Sequence, residues 1–137
     1  MSIDKKFIDQ FIDVTSKAAL ASSYLVGKKD KIAADKAAVD SMRGELNKIN
    51  IQGEIVIGEG ELDEAPMLYI GEKVGTNNGP IFDIAVDPIE GTNFAAKNLP
   101  SALSVIAIAE KGGLFNAPET YMEKIATRVN EKNLIDL

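Results

Sequence analysis

The chain has no cysteine and no histidine. The first absence excludes a disulfide framework and a thiolate zinc site, and the second excludes imidazole acid–base chemistry. Basic residues are in deficit: 15 Lys and Arg stand against 21 Asp and Glu, for a formal charge of -6. That balance disfavours nonspecific nucleic-acid binding, yet it leaves metal ions and small phosphate esters open as ligands. No stretch approaches the roughly 18 to 20 consecutive apolar residues that a membrane span requires, and the opening MSIDKKFIDQFIDV mixes charges among its apolar positions. Internal repeats, low-complexity tracts and interdomain linkers are missing as well. What remains is a chain of 137 residues, 45% of them apolar, enough to bury one core. These features predict a cytoplasmic domain with neither a nucleic-acid nor a membrane partner. Any hydrolytic chemistry in it must use carboxylates, hydroxyls, lysines and water.

Hydrophobic spacing organises the first half. Phe7, Phe11, Val14, Ala18 and Leu25 share one helical face and predict a helix over Lys5 to Val26, ending near Gly27. Val39, Met42, Leu46 and Ile49 predict a second helix from about Ala34 to Ile49, which Gly44 weakens by roughly 1 kcal/mol relative to alanine. The period then changes. Glu54 to Ile57 predicts a short strand, followed by a glycine-rich bend around Glu59, and Ala65 to Val74 predicts a short helix with Pro66 in its first turn. GTNNGP reads as a turn. IFDIAVD is a strand with Phe82, Ile84 and Val86 on one side and Asp83, Ala85 and Asp87 on the other. SALSVIAIA, Ser101 to Ala109, is apolar at almost every position and predicts a central strand covered on both faces. EKGG closes it, LFNAP reads as a return strand, and the alternating β-branched residues of YMEKIATRV favour another strand. NEKN is a turn, and LIDL looks like a strand just beginning.

Carboxylates gather at the ends of these elements: Asp35 at the opening of the second helix, Glu59 after one strand, Asp87 and Glu90 after another. Asp and Glu oxygens, without imidazole or thiolate, are the ligand set of hard cations such as Mg2+ and Mn2+. Such cations stabilise charge and activate water in phosphoryl transfer. In DPIEGT, Pro88 fixes the backbone after Asp87 and brings Glu90 back within reach across a turn, so that the two carboxylates can share metals. Gly91 permits close backbone approach, amides near Gly91 and Thr92 can hold a phosphate oxygen if a helix starts there, and the Thr92 hydroxyl is placed to orient an attacking water. Bland alternatives stand beside these readings. A single acidic residue near a turn is usually solvated or a helix cap, as Asp35 would be on its own. Lys28, Lys29 and Lys31 can steer a phosphorylated substrate, although a lysine-rich loop is more often merely solvated. Tyr121, beside Asn116 and Pro118, reads as a packed aromatic.

IVIGEGELDEAPMLYIGEKVG, DIAVDPIEGT and LFNAPETYMEKIA, in this order and spacing, resemble the N-terminal part of the bacterial class II fructose-1,6-bisphosphatases. These are members of the lithium-sensitive, metal-dependent sugar and inositol phosphatase superfamily. The resemblance runs from the first helix through Ala126. It implies a layered α/β fold with helices packed on a mixed β-sheet, a homo-oligomer, and hydrolysis of the 1-phosphate of fructose 1,6-bisphosphate in gluconeogenesis with Mn2+ or Mg2+ in a two-metal site. By motif, Asp35 and Glu59 would bind one metal, and Asp87 and Glu90 the second. Glu90, Gly91 and Thr92 would contact the substrate phosphate, with Thr92 helping to activate water. Asp63 matches an acidic active-site position, Lys31 a basic one, and Tyr121 a substrate-contacting tyrosine.

Two departures accompany the match. FAAKNLPSALSV replaces the glycine and glutamine usual after GTN, so the loop from Phe94 to Pro100 is expected to differ in shape. Members of the family are also much longer, and their second half supplies a further acidic ligand and most sugar contacts. The chain is therefore expected to be cut short, to hold a partial metal site and to have little activity alone. Two alternatives are a related phosphatase acting on sedoheptulose 1,7-bisphosphate or an inositol phosphate, and a noncatalytic assembly module that associates through the two phenylalanines of the first helix.

Overall fold

The computed structural model describes residues 3–59 and 67–115 together with Glu123, Ala126 and Arg128. Helix α1 spans Lys5–Ser23, its N-terminus capped by the Asp4 carboxylate, which accepts the Lys6 N–H at 3.1 Å. The expected extension to Val26 is not helical. From Leu25 onward the amides of Leu25, Val26 and Lys28 bond three residues back, tightening the chain into turns that end at Gly27, where φ is 75°. Helix α2 spans Lys31–Leu46 and begins three residues earlier than its apolar pattern predicts, because Asp30 caps it by accepting the Ala33 N–H at 3.0 Å. It also ends earlier, since the amides of Lys48 and Ile49 already bond three residues back.

The strands form a mixed four-stranded sheet in the order β2-β1-β3-β4 among the described residues. Strand β1, Gln52–Ile57, runs parallel to β3, Ile81–Glu90; β2, Lys73–Val74, lies antiparallel on the far side of β1, and β4, Leu103–Glu110, is antiparallel to β3. This is the expected arrangement of helices on a mixed sheet. The core joins Phe7, Phe11, Val14 and Ala18 of α1 and Val39, Met42 and Leu46 of α2 to Ile55, Phe82 and Ile84 of the sheet. The rings of Phe7 and Phe11 meet Phe82 edge to face at 5.5 and 6.2 Å, so the two phenylalanines considered for an assembly surface are core residues instead.

Three further expectations are corrected. Where a helix is predicted over Ala65 to Val74, residues 67–72 are not helical and 73–74 form β2; positions 65 and 66 lie outside the described residues. Pairing with β1 overrides local propensity there, because Ile55 donates to the Glu72 carbonyl and Gly71 to the Ile55 carbonyl, while Arg43 of α2 grips the Glu72 carboxylate at 2.6 Å. Among the described residues strand β4 is not central. It is an edge strand among the described residues, with Ile106 and Ile108 turned toward the core and Leu103 and Val105 exposed. An apolar run cannot by itself distinguish a covered strand from one whose second face is open. Finally, Leu114 and Phe115 of the expected LFNAP strand are not in a strand, and neither are Glu123, Ala126 and Arg128 further on. The remainder of LFNAP and YMEKIATRV, and all of NEKN and LIDL, lie outside the described residues.

Candidate active site

Because β1 and β3 are parallel neighbours, both release their C-terminal residues at the same edge of the sheet, the usual place for a site in an α/β sheet. Ile57, the last residue of β1, is level with Ala85; two residues on stand Glu59, in the bend after β1, and Asp87, still within β3. Glu59 is half-buried and its backbone N–H bonds the Leu68 carbonyl at 3.1 Å. Gly58 before it lies so close to that carbonyl that any Cβ would collide with it.

Strand β3 solves a parity problem. Side chains three apart on a regular strand point to opposite faces, so Asp87 and Glu90 should diverge. The sequence reading joins them by a turn after Asp87; the structure does so within the strand, which continues to Glu90. Asp87 pairs with Val105 and Glu90 with Leu103, so β3 advances three residues while β4 advances two. That extra residue is a bulge, and it returns Glu90 to the face of Asp87. Pro88, with no N–H to offer the ladder, sits in the bulge and is fully buried. The Ile89 N–H donates to Asp87 Oδ1 at 3.1 Å and fixes that carboxylate across the proline.

The three acids at this edge are electrostatically linked. Partial burial, a hydrogen bond and charge repulsion from Glu90, and repulsion from Asp35 together push the Asp87 carboxyl up to about 6, the Ile89 N–H opposing them. Burial alone raises Asp35, which lies half-buried one turn into α2. Among the described residues no three carboxylates, Asp35, Asp87 and Glu90 included, converge tightly enough to close a cation cage. The donor set nevertheless fits a hard cation. Asp35 and Asp87 are half-buried, Glu90 is exposed, and the three repel one another, a repulsion that a bound cation would relieve.

Beyond Glu90 the chain turns at Gly91, φ 80°, which caps the short helix α3, Thr92–Ala96. A Cβ on Gly91 would come within 2.9 Å of the Phe94 ring. Helix α3 takes in Phe94 to Ala96, so only the residues from Lys97 onward are loop. Thr92 donates its hydroxyl proton to the Ile89 carbonyl at 3.1 Å. The hydroxyl oxygen is left as an acceptor, the role required to orient a water. Lys31 is the first residue of α2 and exposed. Asp63 and Tyr121 lie outside the described residues. The structure thus turns Asp87 and Glu90 to one face, leaves Asp35 within electrostatic reach of Asp87, sets Glu59 at the same sheet edge, and places Gly91 and Thr92 next in line.

Two structural carboxylates escaped the sequence reading. Asp83 is buried and its Oδ2 accepts the Gly112 N–H at 2.6 Å, fastening the turn after β4 to β3. Glu72 is buried against Arg43. A single acid inside an apolar strand was the available signal for Asp83; Glu72, in a segment read as helix, gave none.

Comparison with known proteins bears on the same motifs. Residues 5–137 match the family described as bacterial fructose-1,6-bisphosphatase, glpX-encoded. The D-fructose 1,6-bisphosphatase class 2/sedoheptulose 1,7-bisphosphatase of Synechococcus sp. (strain CC9902) is 52% identical over 135 residues, covering 98% of this chain and 40% of that protein. Fructose-1,6-bisphosphatase 1 class 2 of Escherichia coli (strain K12) is 56% identical over 128 residues, covering 93% of this chain and 38% of that protein. The chain therefore spans about 40% of the length of the curated relatives it matches. Among solved structures, an extragenic suppressor protein of Pyrococcus furiosus superposes with a TM-score of 0.50 at 18% identity, over 78% of this chain and 41% of the other, a likeness of fold. With the family match covering all but the first four residues, and both relatives sharing about half of their aligned positions, the chain belongs to the bacterial, glpX-encoded fructose-1,6-bisphosphatase family.

Proposed function

We propose that this chain forms the metal-binding part of a phosphatase that hydrolyses the 1-phosphate of fructose 1,6-bisphosphate to fructose 6-phosphate, a gluconeogenic reaction, with Mn2+ or Mg2+. The observation that carries the reading is the β3 bulge, which turns Asp87 and Glu90 to one face, with Glu90 and Asp35 close enough to raise the Asp87 carboxyl. Asp87 and Glu90 would hold one cation, and Asp35 with Glu59 a second. Bound there, the cations supply charge neutralisation for the phosphoryl group and acidify a water. The chain's own groups do the rest: Glu90 and the backbone at Gly91 meet the phosphate, and the Thr92 hydroxyl, its proton held by Ile89, accepts from the attacking water and aims it. Asp63 and Tyr121 join this site by motif as an acidic group and a substrate contact, and Lys31 as a basic one. A cytoplasmic location and a homo-oligomer complete the reading. Among the described residues no helix is long and apolar enough to cross a membrane.

A second substrate is favoured by one observation: the Synechococcus relative carries sedoheptulose 1,7-bisphosphatase in its name. Both readings use the same carboxylates. Mn2+ titration followed by thermal unfolding tests the shared part. Mn2+ should raise the unfolding temperature of the chain, and Asp87→Asn or Glu90→Gln should abolish the rise; an identical rise in all three would defeat the site assignment. A panel of sugar bisphosphates, assayed by phosphate release on a protein of the relatives' full length bearing these residues, separates the substrates. The 137-residue chain alone is expected to release far less phosphate, because its described carboxylates do not close a cage.

A further inference from the structure

Of the ligands assigned above, Asp35 comes from α2, Asp87 with Glu90 from β3, and Glu59 from the bend after β1. Something must fix the start of α2 against the end of β3. The segment that does so is the connection between α1 and α2. Its Gly27 N–H donates to the Ala95 carbonyl at 3.0 Å, and its Lys29 N–H donates to the Ala96 carbonyl at 2.9 Å. Both acceptors are the last carbonyls of α3; that of Ala95 also accepts the Asn98 N–H at 3.1 Å. One residue after Lys29, Asp30 caps α2. At the other end of α3, Gly91 and Thr92 follow directly on Glu90.

The local backbone is shaped for this contact. Gly27 has φ 75°, and a Cβ built there would stand 3.3 Å from the Cβ of Asn98. Lys29 and Asn98, neither of them glycine, hold φ 60° and 55°. Left-handed backbone at ordinary residues costs on the order of 1 kcal/mol each and persists only where surrounding contacts impose it. Helices α2 and α3 are in contact, and the buried residues of α3 (Ala95 and Ala96) and of the first two turns of α2 (Ala34 and Ala38) are all alanines. Small side chains let the two backbones approach closely, so a small shift in one displaces the other.

We propose that the Gly27–Lys29 segment is a backbone clamp on α3 that positions Asp35 against Asp87 and Glu90, making Gly27 and the Lys29 amide positioning elements for cation binding. The proposal rests on the metal-site reading. By linkage, a clamp that favours cation binding must itself be stabilised by the cation.

The first test uses the unmodified chain. Saturating Mg2+ should slow hydrogen exchange of the Gly27 and Lys29 amides by about tenfold, although neither is a ligand, while the Gly112 amide, bonded to Asp83 at the far end of the sheet, stays unchanged. Slowing at Gly112 equal to that at Gly27 and Lys29 would indicate general stabilisation and overturn the clamp. The second test matches strain with strain. Gly27→Ala and Gly112→Ala each place a Cβ at a nearly equal left-handed φ, 75° and 79°, so both should lower the unfolding midpoint, but only Gly27→Ala should weaken Mn2+ binding, by about tenfold. Lys29→Gly keeps the backbone bond and should retain Mn2+ affinity. Mn2+ binding that is equally tight in Gly27→Ala, and still lost in Asp87→Asn, overturns the clamp and leaves the metal reading standing. Failure of the unmodified chain to bind either cation overturns both.

Discussion

An ionised Asp87 in the metal-free chain faces partial burial, the neighbouring Glu90 and the charge of Asp35, and all three favour the protonated form. Its carboxyl is raised from an ordinary 3.8 to about 6, so the folded state binds a proton that the unfolded state releases. The sign follows. Stability from this group is fully present below pH 3.8 and is lost as pH rises through about 6. At pH 7 the carboxylate is therefore a destabilising charge. Asp87→Asn should stabilise the metal-free chain at pH 7 by on the order of 1 kcal/mol, after discounting for the solvent that reaches this half-exposed side chain. The amide oxygen can still accept the Ile89 N–H, so the bulge keeps its fastening. Urea unfolding between pH 3.5 and 7.5 checks this: the variant's advantage should shrink toward zero at the acid end, and a pH-independent advantage would refute the electrostatic cause. The same residue that costs stability without a cation is the one whose replacement should remove the gain when Mn2+ is added.

At the scale of elements, α2 carries two opposite predictions. Gly44 is exposed in the last turn of α2, and a Cβ added there meets nothing within 4 Å outside its own helix. Gly44→Ala should therefore stabilise the chain by about 0.5–1 kcal/mol, read as a higher urea midpoint with an unchanged slope. One residue earlier, Arg43 holds Glu72 through Nε at 2.6 Å and Nη2 at 3.1 Å, and also donates to the Met67 carbonyl. Arg43→Met strands the buried Glu72 carboxylate and should cost about 3 kcal/mol, whereas the Arg43→Met/Glu72→Met double variant should recover much of that loss. A double variant no better than the single would mean that packing, not charge, carries the contact. This pair also shows where sequence reading stops. The faces of α1 and α2 were legible because a 3.6-residue period is local, and the DPIEGT carboxylates because their spacing beside a proline is unusual. The 67–74 segment was misread because its pairing with β1 and its Arg43 anchor are contacts between distant residues. The β3 bulge was equally hidden: only the register against β4 reveals the extra residue that turns Glu90 toward Asp87.

For the molecule as a whole, one face of the sheet is packed by α1 and α2, and the opposite face presents the outer residues of β4. Leu103 and Val105, spaced by two and paired with Glu90 and Asp87, are 61% and 43% exposed on the side that also bears the carboxylates. Strand β4 is, moreover, the sheet edge among the described residues, so exposed apolar side chains coincide with a strand edge able to pair with another chain. The 137-residue chain should consequently self-associate as its concentration rises, and because the contact buries apolar surface, added sulfate should strengthen the association. Replacing Leu103 and Val105 together by threonine keeps β-propensity while removing apolar area, and should weaken association by about tenfold without unfolding the sheet. Sedimentation velocity over a hundredfold range of concentration measures this. A monomer at every concentration would show the face to be harmless, and dissociation on adding sulfate would assign the contact to ion pairs between oppositely charged groups rather than to these two side chains. Because Asp87 and Glu90 lie on the same face, association through it should also restrict access to them, so the threonine pair should bind Mn2+ at least as tightly as the parent chain.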